Sequence, residues 1–256
     1  MKLQGKSVLV TGASGGIGRV LSKAIAAEGG RVALTGRNSD KLKAVQSEIA
    51  STGGNSQIFI ADLLDDVQLD RLTADIKTQF GDIDILVNNA GVFHVGGKHV
   101  AGLAWEVPLD EWKMVFNIKF WSAYQISRAF IPGMIEKGEG KIVNITGTFD
   151  KGGPRTSHYY MGTMALEHLT RNLAAELKPY NVQVNSVNTG LVSTDVMKTL
   201  YPKEGSVAQT PEDLARFILF FMTHDSDNIT GSSTTIGRNR VGEFTQGSPG
   251  HFEPPY

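Results

Sequence analysis

The chain has 256 residues, a formal net charge of -1 at pH 7 and no cysteine. The lack of cysteine excludes disulfides, thiolate metal ligands and cysteine nucleophiles, and the balanced charge argues against a nucleic-acid partner. The longest apolar run in the C-terminal third, from Phe217 to Met222, is far too short to span a membrane, and the N-terminus lacks a signal-peptide pattern. We therefore expect a globular cytoplasmic protein without a metal site.

Short runs rich in valine and isoleucine alternate with longer helical patterns along the chain. The strands are predicted at residues 7–11, 31–36, 57–61, 85–88, 141–145, 182–187 and 233–236, and the clearest helices at 39–50, 109–135 and 164–177. Several strands are apolar on both faces, which is typical of a parallel sheet covered by helices on both sides. The pattern predicts an α/β fold: a Rossmann-type, doubly wound parallel sheet of about seven strands.

The domain organisation follows from the lack of a linker. No stretch rich in proline, glycine or serine precedes residue 237, so residues 1–237 are predicted to form one domain that includes the substrate cleft. Residues 238–256 contain turn residues and show little periodicity. We interpret them as a C-terminal extension, either on the surface or packed as an arm on another subunit.

A glycine-rich stretch, TGASGGIG at residues 11–18, follows the first predicted strand and opens a helix. Gly12 permits a tight turn, Gly16 lets the backbone approach a pyrophosphate, and Gly18 lets the helix pack closely on the sheet. The free N–H groups at the start of this helix can bind phosphate oxygens. The stretch therefore predicts a dinucleotide site that includes Gly12, Ser14, Gly16, Ile17 and Gly18.

The end of the second predicted strand indicates which dinucleotide binds. Many NAD-binding folds carry an acidic residue here for the ribose diol, whereas this chain has Gly36 followed by Arg37. A guanidinium can pair with a 2′-phosphate through two hydrogen bonds. The alternative is a solvated surface arginine. We predict NADP(H) in preference to NAD(H).

Together with further motifs, the glycine-rich stretch makes the chain resemble the short-chain dehydrogenase/reductase family over nearly all of residues 6–237. The further motifs occur in the family's order: Asp62, Asn88-Asn89-Ala90-Gly91, Asn117, the helix around Tyr159, and Thr189-Gly190-Leu191-Val192-Ser193-Thr194. The resemblance implies that Asp62 binds the adenine and that Asn89 and Gly91 support the sheet and the adenosine ribose. It also implies that Val192 and Thr194 hold the nicotinamide carboxamide. Asp62 alone could equally cap the following helix.

The family's catalytic set is only partly present. The resemblance assigns its asparagine to Asn117 and its tyrosine to Tyr159, but the lysine position four residues later is Thr163. As a candidate catalytic residue, Thr163 can replace a hydrogen bond of the lysine but not its charge. The alternative register, with Tyr160 as the tyrosine, places a methionine there. The serine is also missing: alignment of the strand places Gly147 in its position, counting back from Tyr159 gives Thr146, and Thr148 is a third candidate.

Without the lysine, the phenol of Tyr159 lacks the ammonium that lowers its pKa, so alcohol oxidation should be impaired more than carbonyl reduction. His94 or His158 could compensate, although a solvated loop histidine is the simpler reading of each. Three functions remain open: an NADPH-dependent carbonyl reductase, a non-redox isomerase, lyase or cyclase, and a nucleotide-binding regulatory protein without turnover.

The expected partners are a small molecule and further copies of the chain. Aromatic and apolar residues near the nicotinamide position predict a substrate that is apolar or ring-bearing, and they lie at 93–95, 149, 160–161 and 196–201. The resemblance implies a homodimer or homotetramer. No nucleic acid and no membrane is expected as a partner.

Overall fold

The computed structural model describes residues 1–91, 102–147, 156–200 and 208–236, and the backbone of residues 94–95 and 98–99. The predicted C-terminal extension, residues 238–256, lies outside the described residues. Among those described, the sheet has seven parallel strands in the order β3-β2-β1-β4-β7-β8-β9. The sequence prediction of a doubly wound parallel sheet is confirmed.

The strand bounds lie close to the predicted ones. In chain order they are β1 Ser7–Thr11, β2 Arg31–Gly36, β3 Asn55–Ile60, β4 Ile85–Asn88, β5 His94–Val95, β6 Lys98–His99, β7 Gly140–Thr146, β8 Val182–Asn188 and β9 Ser233–Thr235. β5 and β6 form a separate antiparallel pair. The central strands β4, β7 and β8 are buried along their whole length, because helices cover both faces of the sheet.

The described helices lie on both sides of the sheet. They are α1 Gly16–Ala27, α2 Ser39–Ser51, α3 Asp66–Gln79, α4 Leu109–Phe116, α5 Ser122–Lys137, α6 Ser157–Leu177, α7 Asp195–Leu200 and α8 Pro211–Met222. One apolar core joins α1, α2 and α8 to the sheet, and a second joins α3, α5 and α6 to its other face. The helix around Tyr159, whose clearest periodicity lies at 164–177, spans Ser157–Leu177.

The long helix predicted at 109–135 is interrupted. Residues Asn117–Trp121 form a π-helical turn between α4 and α5, hereafter the π-turn. A π-turn adds a residue to the helical repeat and so changes which side chains face inward. Here Asn117 is exposed, whereas Ile118 and Lys119 are buried.

The topology places a cleft at the carboxyl ends of the strands. From β1 the chain proceeds outward through β2 and β3, and then returns to add β4 on the other side of β1. Loops after neighbouring strands on the two sides of this reversal separate and leave a crevice, where ligands bind in open α/β sheets.

Candidate active site

The cleft at this reversal has a volume of about 700 Å³. It extends from the glycine loop and the end of β2, past the loop after β4, to the start of α6 and the loop after β8. All eleven residues predicted to bind cofactor line it: Gly12, Ser14, Gly16, Ile17, Gly18, Arg37, Asp62, Asn89, Gly91, Val192 and Thr194. The fold therefore brings together motifs that are about 180 residues apart in the chain.

The glycines of the loop are required by close packing. Gly12 has a φ of 64°, a left-handed conformation that favours glycine. A Cβ atom at Gly18 would lie 2.2 Å from the carbonyl oxygen of Gly12, and one at Gly16 would lie 2.5 Å from the side chain of Thr194. Gly16 thus allows the loop after β8 to approach the start of α1 and to close one side of the cleft.

Hydrogen bonds from the neighbouring loop hold the glycine loop in place. The side-chain amide of Asn89 donates to the carbonyl oxygens of Thr11, at 2.9 Å, and of Gly12, at 3.3 Å. The hydroxyl of Thr11 accepts from the backbone N–H groups of Asn89 and Ala90, both at 3.0 Å. Asn89 therefore shapes the cleft by fixing its floor.

At the nucleotide end, Arg37 and Asp62 form an ion pair of 3.5 Å between Nη1 and Oδ2. The Arg37 side chain is 67% exposed, so its guanidinium can turn toward a ligand at small cost. Lys41 lines the same end of the cleft. Arg19, in contrast, is bound to Glu48 of α2 and does not line the cleft.

The loop after β8 is fixed at the other end. The side-chain amide of Gln209 donates to the carbonyl oxygens of Thr189 and Ile236. The backbone carbonyl oxygen of Gln209 accepts from the N–H of Ser193 at 2.8 Å. The hydroxyl of Thr194 accepts from the N–H of Met197 at 3.2 Å and so caps α7. The predicted carboxamide-binding residues Val192 and Thr194 thereby sit on a braced loop.

Tyr159 lies in the first turn of α6 and lines the cleft. Its ring contacts that of Tyr160 edge to face, with centroids 5.6 Å apart. Burial raises the pKa of the Tyr159 phenol to about 12, because the charged phenolate loses solvation. The phenol is therefore a neutral acid at physiological pH.

The backbone of Gly147 lies directly beside Tyr159, with little room for a side chain. A Cβ atom at Gly147 would lie 3.1 Å from the Tyr159 hydroxyl, so Gly147 occupies the position that the strand alignment gave to the serine. Thr146 also lines the cleft, but its hydroxyl donates to the carboxylate of Glu167 at 3.1 Å. Thr148 lies outside the described residues.

Two predicted catalytic residues are not brought to the cleft. Thr163 is fully buried, and its hydroxyl donates to the carbonyl oxygen of Tyr160 at 2.9 Å, within its own helix. Asn117 is exposed, and it is absent from the described residues that line the cleft. The expected catalytic roles of Thr163 and Asn117 therefore remain predictions from the resemblance, which the geometry does not favour.

A lysine that the sequence did not single out occupies the cleft instead. Lys119 lies two residues after Asn117 in the π-turn, and only 5% of it is exposed. Its Nζ donates to the carbonyl oxygen of Ile145 at 3.1 Å and lies 6.0 Å from the centre of the Tyr159 ring. No periodic pattern marks this position, because the π-turn sets which side chains point inward.

The histidines weighed as substitutes are not equivalent. His158 is fully buried, with its Nε2 atom 3.4 Å from Oε1 of Glu111 and its ring against Trp112. Burial lowers its pKa, and the Glu111 carboxylate opposes that shift. His158 does not line the described part of the cleft, and the His94 side chain lies outside the described residues.

The described walls near Tyr159 are mainly apolar. Tyr160, Val196 and Met197 line the cleft as predicted, and Met114, Ile118 and Leu191 join them. Met161 is exposed and is not among the described residues that line the cleft. Residues 93, 149 and 201, also predicted as substrate walls, lie outside the described residues.

Two further features are absent from the described residues. No helix there combines the length and the apolar character that crossing a membrane requires. Likewise, no group of three or more histidine, aspartate or glutamate side chains in the described ranges could hold a metal ion.

The parallel sheet, the glycine loop and the tyrosine beside the cleft define a nucleotide-dependent oxidoreductase fold. The family model for short chain dehydrogenases matches residues 6–205. The chain therefore belongs to the short-chain dehydrogenase/reductase family, whose members bind nicotinamide cofactors and act on small molecules.

Similar proteins span several activities within this family. The chain is 30% identical to 2,3-dihydro-2,3-dihydroxybenzoate dehydrogenase of Bacillus subtilis, over 89% of this chain and 93% of that one. It is 32% identical to 3-oxoacyl-[acyl-carrier-protein] reductase FabG of Aquifex aeolicus, over 90% and 95%.

Solved structures of similar chains include both cofactor forms. A 3-oxoacyl-[acyl-carrier protein] reductase from Brucella melitensis with bound NAD has a TM-score of 0.82 and 28% identity, over 92% of this chain and 90% of that one. A proposed NAD(P)-dependent gluconate 5-dehydrogenase from Beutenbergia cavernae, with bound NADP at low occupancy, has a TM-score of 0.83 and 30% identity, over 91% and 96%.

Proposed function

We propose that this protein is an NADPH-dependent carbonyl reductase whose proton donor is Tyr159. The observation that carries the proposal is the burial of this phenol in the cleft, which raises its pKa to about 12. A phenol with this pKa keeps its proton at pH 7, so the phenolate is scarce. Alcohol oxidation needs that phenolate as a base, whereas carbonyl reduction needs the neutral phenol as an acid. The site is therefore better suited to reduction.

The start of α1 fits the pyrophosphate of a dinucleotide. The N-cap residue Gly15 offers no side-chain cap, and the first turn of the helix contains no acidic residue. The N–H groups of this turn can therefore bind an anion, with support from the helix dipole. Side chains at Gly16 or Gly18 would fill the space in which the loop packs.

The preference for NADPH rests on the end of β2. Gly36 provides no acidic side chain to bind a ribose 2′-hydroxyl or to repel a 2′-phosphate, while Arg37 and Lys41 line this end of the cleft. The guanidinium of Arg37 can exchange its 3.5 Å pair with Asp62 for two hydrogen bonds to the phosphate. Asp62 would then remain for the adenine.

The bound nicotinamide would supply the hydride that reduces the carbonyl carbon. Tyr159 would donate its hydroxyl proton to the carbonyl oxygen, and the edge-to-face contact with Tyr160 would hold the phenol in its orientation. Met114, Ile118 and Met197 would exclude water from the reacting carbonyl and favour an apolar or ring-bearing substrate. We expect a cytoplasmic protein, and the resemblance to the family implies a homodimer or homotetramer.

Turnover is tested with a panel of ketones, quinones and 3-oxoacyl thioesters. We expect NADPH consumption at 340 nm that matches alcohol formation, and a loss of about 10²–10⁴-fold in Tyr159→Phe. Tyr180→Phe, at a half-exposed tyrosine beyond α6, is the matched control and should keep the wild-type rate. Product formation with the nucleotide unchanged would indicate a non-redox enzyme, and tight NADPH binding without turnover would indicate a regulatory protein. Either outcome overturns the proposal.

The cofactor preference is tested separately by titrating both nucleotides. Arg37→Ala should weaken NADP⁺ binding by about 10- to 100-fold and leave NAD⁺ binding nearly unchanged, because only NADP⁺ carries the 2′-phosphate. Arg216→Ala, at an exposed arginine on α8, is the control. Equal weakening of both nucleotides would contradict the assignment of Arg37 to the 2′-phosphate.

A further inference from the structure

The side chain of Lys119 lies in a slot that two glycines leave open. A Cβ atom at Gly162 of α6 would lie 3.2 Å from Cβ and 3.6 Å from Cγ of this lysine. A Cβ atom at Gly91, after β4, would lie 2.9 Å from its Nζ. The carbonyl oxygen of Ile145 accepts a hydrogen bond from Nζ where the slot meets the cleft. Contacts at Cβ, Cγ and Nζ thus hold the Lys119 side chain in place and fix the position of its ammonium.

This burial is costly for the fold. A buried lysine normally has a carboxylate partner, but none of the ion pairs among the described residues involves Lys119. One backbone carbonyl oxygen replaces the water around the ammonium, and burial lowers its pKa from 10.5 to about 8. The group therefore remains mostly protonated at pH 7.

The buried amine of Lys119 lies close to the phenol of Tyr159. Lys119 and Tyr159 line the same cleft from two different helical segments, with Nζ 6.0 Å from the centre of the phenol ring. Thr163, at the lysine position of the family on α6, is turned into its own helix. The cleft thus contains a cation beside the tyrosine, although that cation comes from the π-turn.

We propose that Lys119 is the cationic partner of Tyr159 and replaces, from the π-turn, the lysine that α6 lacks. This inference rests on the proposed carbonyl reductase activity. Lys119 does not contact the substrate in this scheme; it acts through Tyr159 by placing a positive charge beside the phenol. When Tyr159 donates its proton to the carbonyl oxygen, the phenolate that remains is stabilised by the ammonium. Water then returns the proton to Tyr159.

The size of the effect follows from the geometry. The Nζ atom lies 6.0 Å from the centre of the Tyr159 ring. Two unit charges at about that separation, at an effective dielectric constant of about 20, change an equilibrium constant by roughly two orders of magnitude. The phenolate is therefore about 100-fold less unfavourable when Lys119 is protonated. Other ionisable groups near the pair are His158, Tyr160 and Glu167 on α6 and Glu111 on α4, with Arg37, Lys41 and Asp62 at the far end of the cleft.

The pH dependence of carbonyl reduction tests the inference. In the wild type, kcat should fall above about pH 8, where Lys119 loses its proton. Lys119→Met should lower the plateau by about 100-fold and remove this fall, because only the Tyr159 proton then titrates, near pH 12. Lys113→Met, at an exposed lysine of α4, should keep the wild-type profile. A fall near pH 8 that persists in Lys119→Met overturns the inference.

A second measurement needs no turnover. Reductive methylation with ¹³C-formaldehyde followed by NMR should show one amine, absent in Lys119→Met, that titrates near pH 8. In addition, the pKa of the Tyr159 phenol can be measured by tyrosinate absorbance, with the matching Tyr159→Phe protein subtracted as background. This pKa should be about 2 pH units lower in Lys119→Arg than in Lys119→Met, because a guanidinium stays charged. The same phenol pKa in both variants overturns the inference. If the phenol responds but no carbonyl is reduced, the proposed activity fails and the pairing of Lys119 with Tyr159 stands.

Discussion

Replacing Lys119 with methionine should make the protein more stable at neutral pH, although we expect the same change to lower its activity. Methionine has nearly the length of the lysine stem and carries no charge, so it can fill the slot between Gly91 and Gly162. The substitution removes an ammonium that is only 5% exposed and that contacts one carbonyl oxygen. The cost of burying that charge is present only in the wild type.

The magnitude follows from the pKa. Burial lowers the pKa of Lys119 from 10.5 to about 8, and each pH unit corresponds to about 1.4 kcal/mol, so the protonated amine costs the fold about 3 kcal/mol. The lost hydrogen bond to Ile145 offsets about 1 kcal/mol of this gain. Lys119→Met should therefore raise the free energy of unfolding at pH 7 by about 2 kcal/mol.

The sign can be checked by changing the pH. The folded pKa lies below the unfolded value, so the unfolded chain binds more protons between pH 8 and pH 10.5, and wild-type stability rises with pH across that window. The advantage of Lys119→Met should shrink by about 2 kcal/mol between pH 7 and pH 9.5. Urea unfolding at both pH values measures this, with Lys113→Met as the control. A variant advantage that does not depend on pH would refute the burial of a charged Lys119.

Three further predictions concern the pair and its surroundings. In the wild type, the rate of alcohol oxidation should rise about tenfold per pH unit and level off near pH 8, because above that pH the pair holds one proton that either Lys119 or Tyr159 can carry. In Lys119→Met the rate should continue to rise above pH 8. Identical pH profiles for the two proteins would contradict the coupling. Thr163→Lys should destabilise the fold less in the Lys119→Met background than in the wild type, by at least about 1 kcal/mol in a urea double-mutant cycle, because like charges repel; additive effects would argue against proximity. Gly147→Ala should lower kcat by about 3- to 10-fold with little change in NADP⁺ affinity, because its Cβ would displace the Tyr159 hydroxyl from 3.1 Å; an unchanged kcat would show that the phenol position is not critical.

Most of the fold could be predicted from local patterns. The strands β1, β2 and β4 begin and end at the predicted residues, because a strand buried on both faces appears in the sequence as a continuous apolar run. The glycine loop could be predicted equally well, because the turn at Gly12 and the helix packing at Gly18 tolerate few residues other than glycine. Helix α6 begins at Ser157, and its clearest apolar periodicity starts seven residues later, at residue 164.

The cofactor half of the candidate site could also be predicted, because its motifs are contiguous and each follows a strand. Arg37 directly follows β2, and the carboxyl ends of parallel strands meet at one edge of the sheet, so adjacency in the fold follows from the topology. The Tyr159 position was similarly fixed by the helix that follows it. The absence of a lysine at Thr163 was visible directly.

What the sequence alone determined is the parallel sheet, the dinucleotide cleft and a tyrosine without a lysine one helical turn later. Only the tertiary structure revealed that a cation nevertheless reaches the tyrosine. Lys119 is about 40 residues from Tyr159 along the chain, and its inward orientation depends on an extra residue in the π-turn and on close packing against Gly162. Spacing rules describe side chains on one helix, whereas this contact joins two segments, and packing between segments is set by the whole fold.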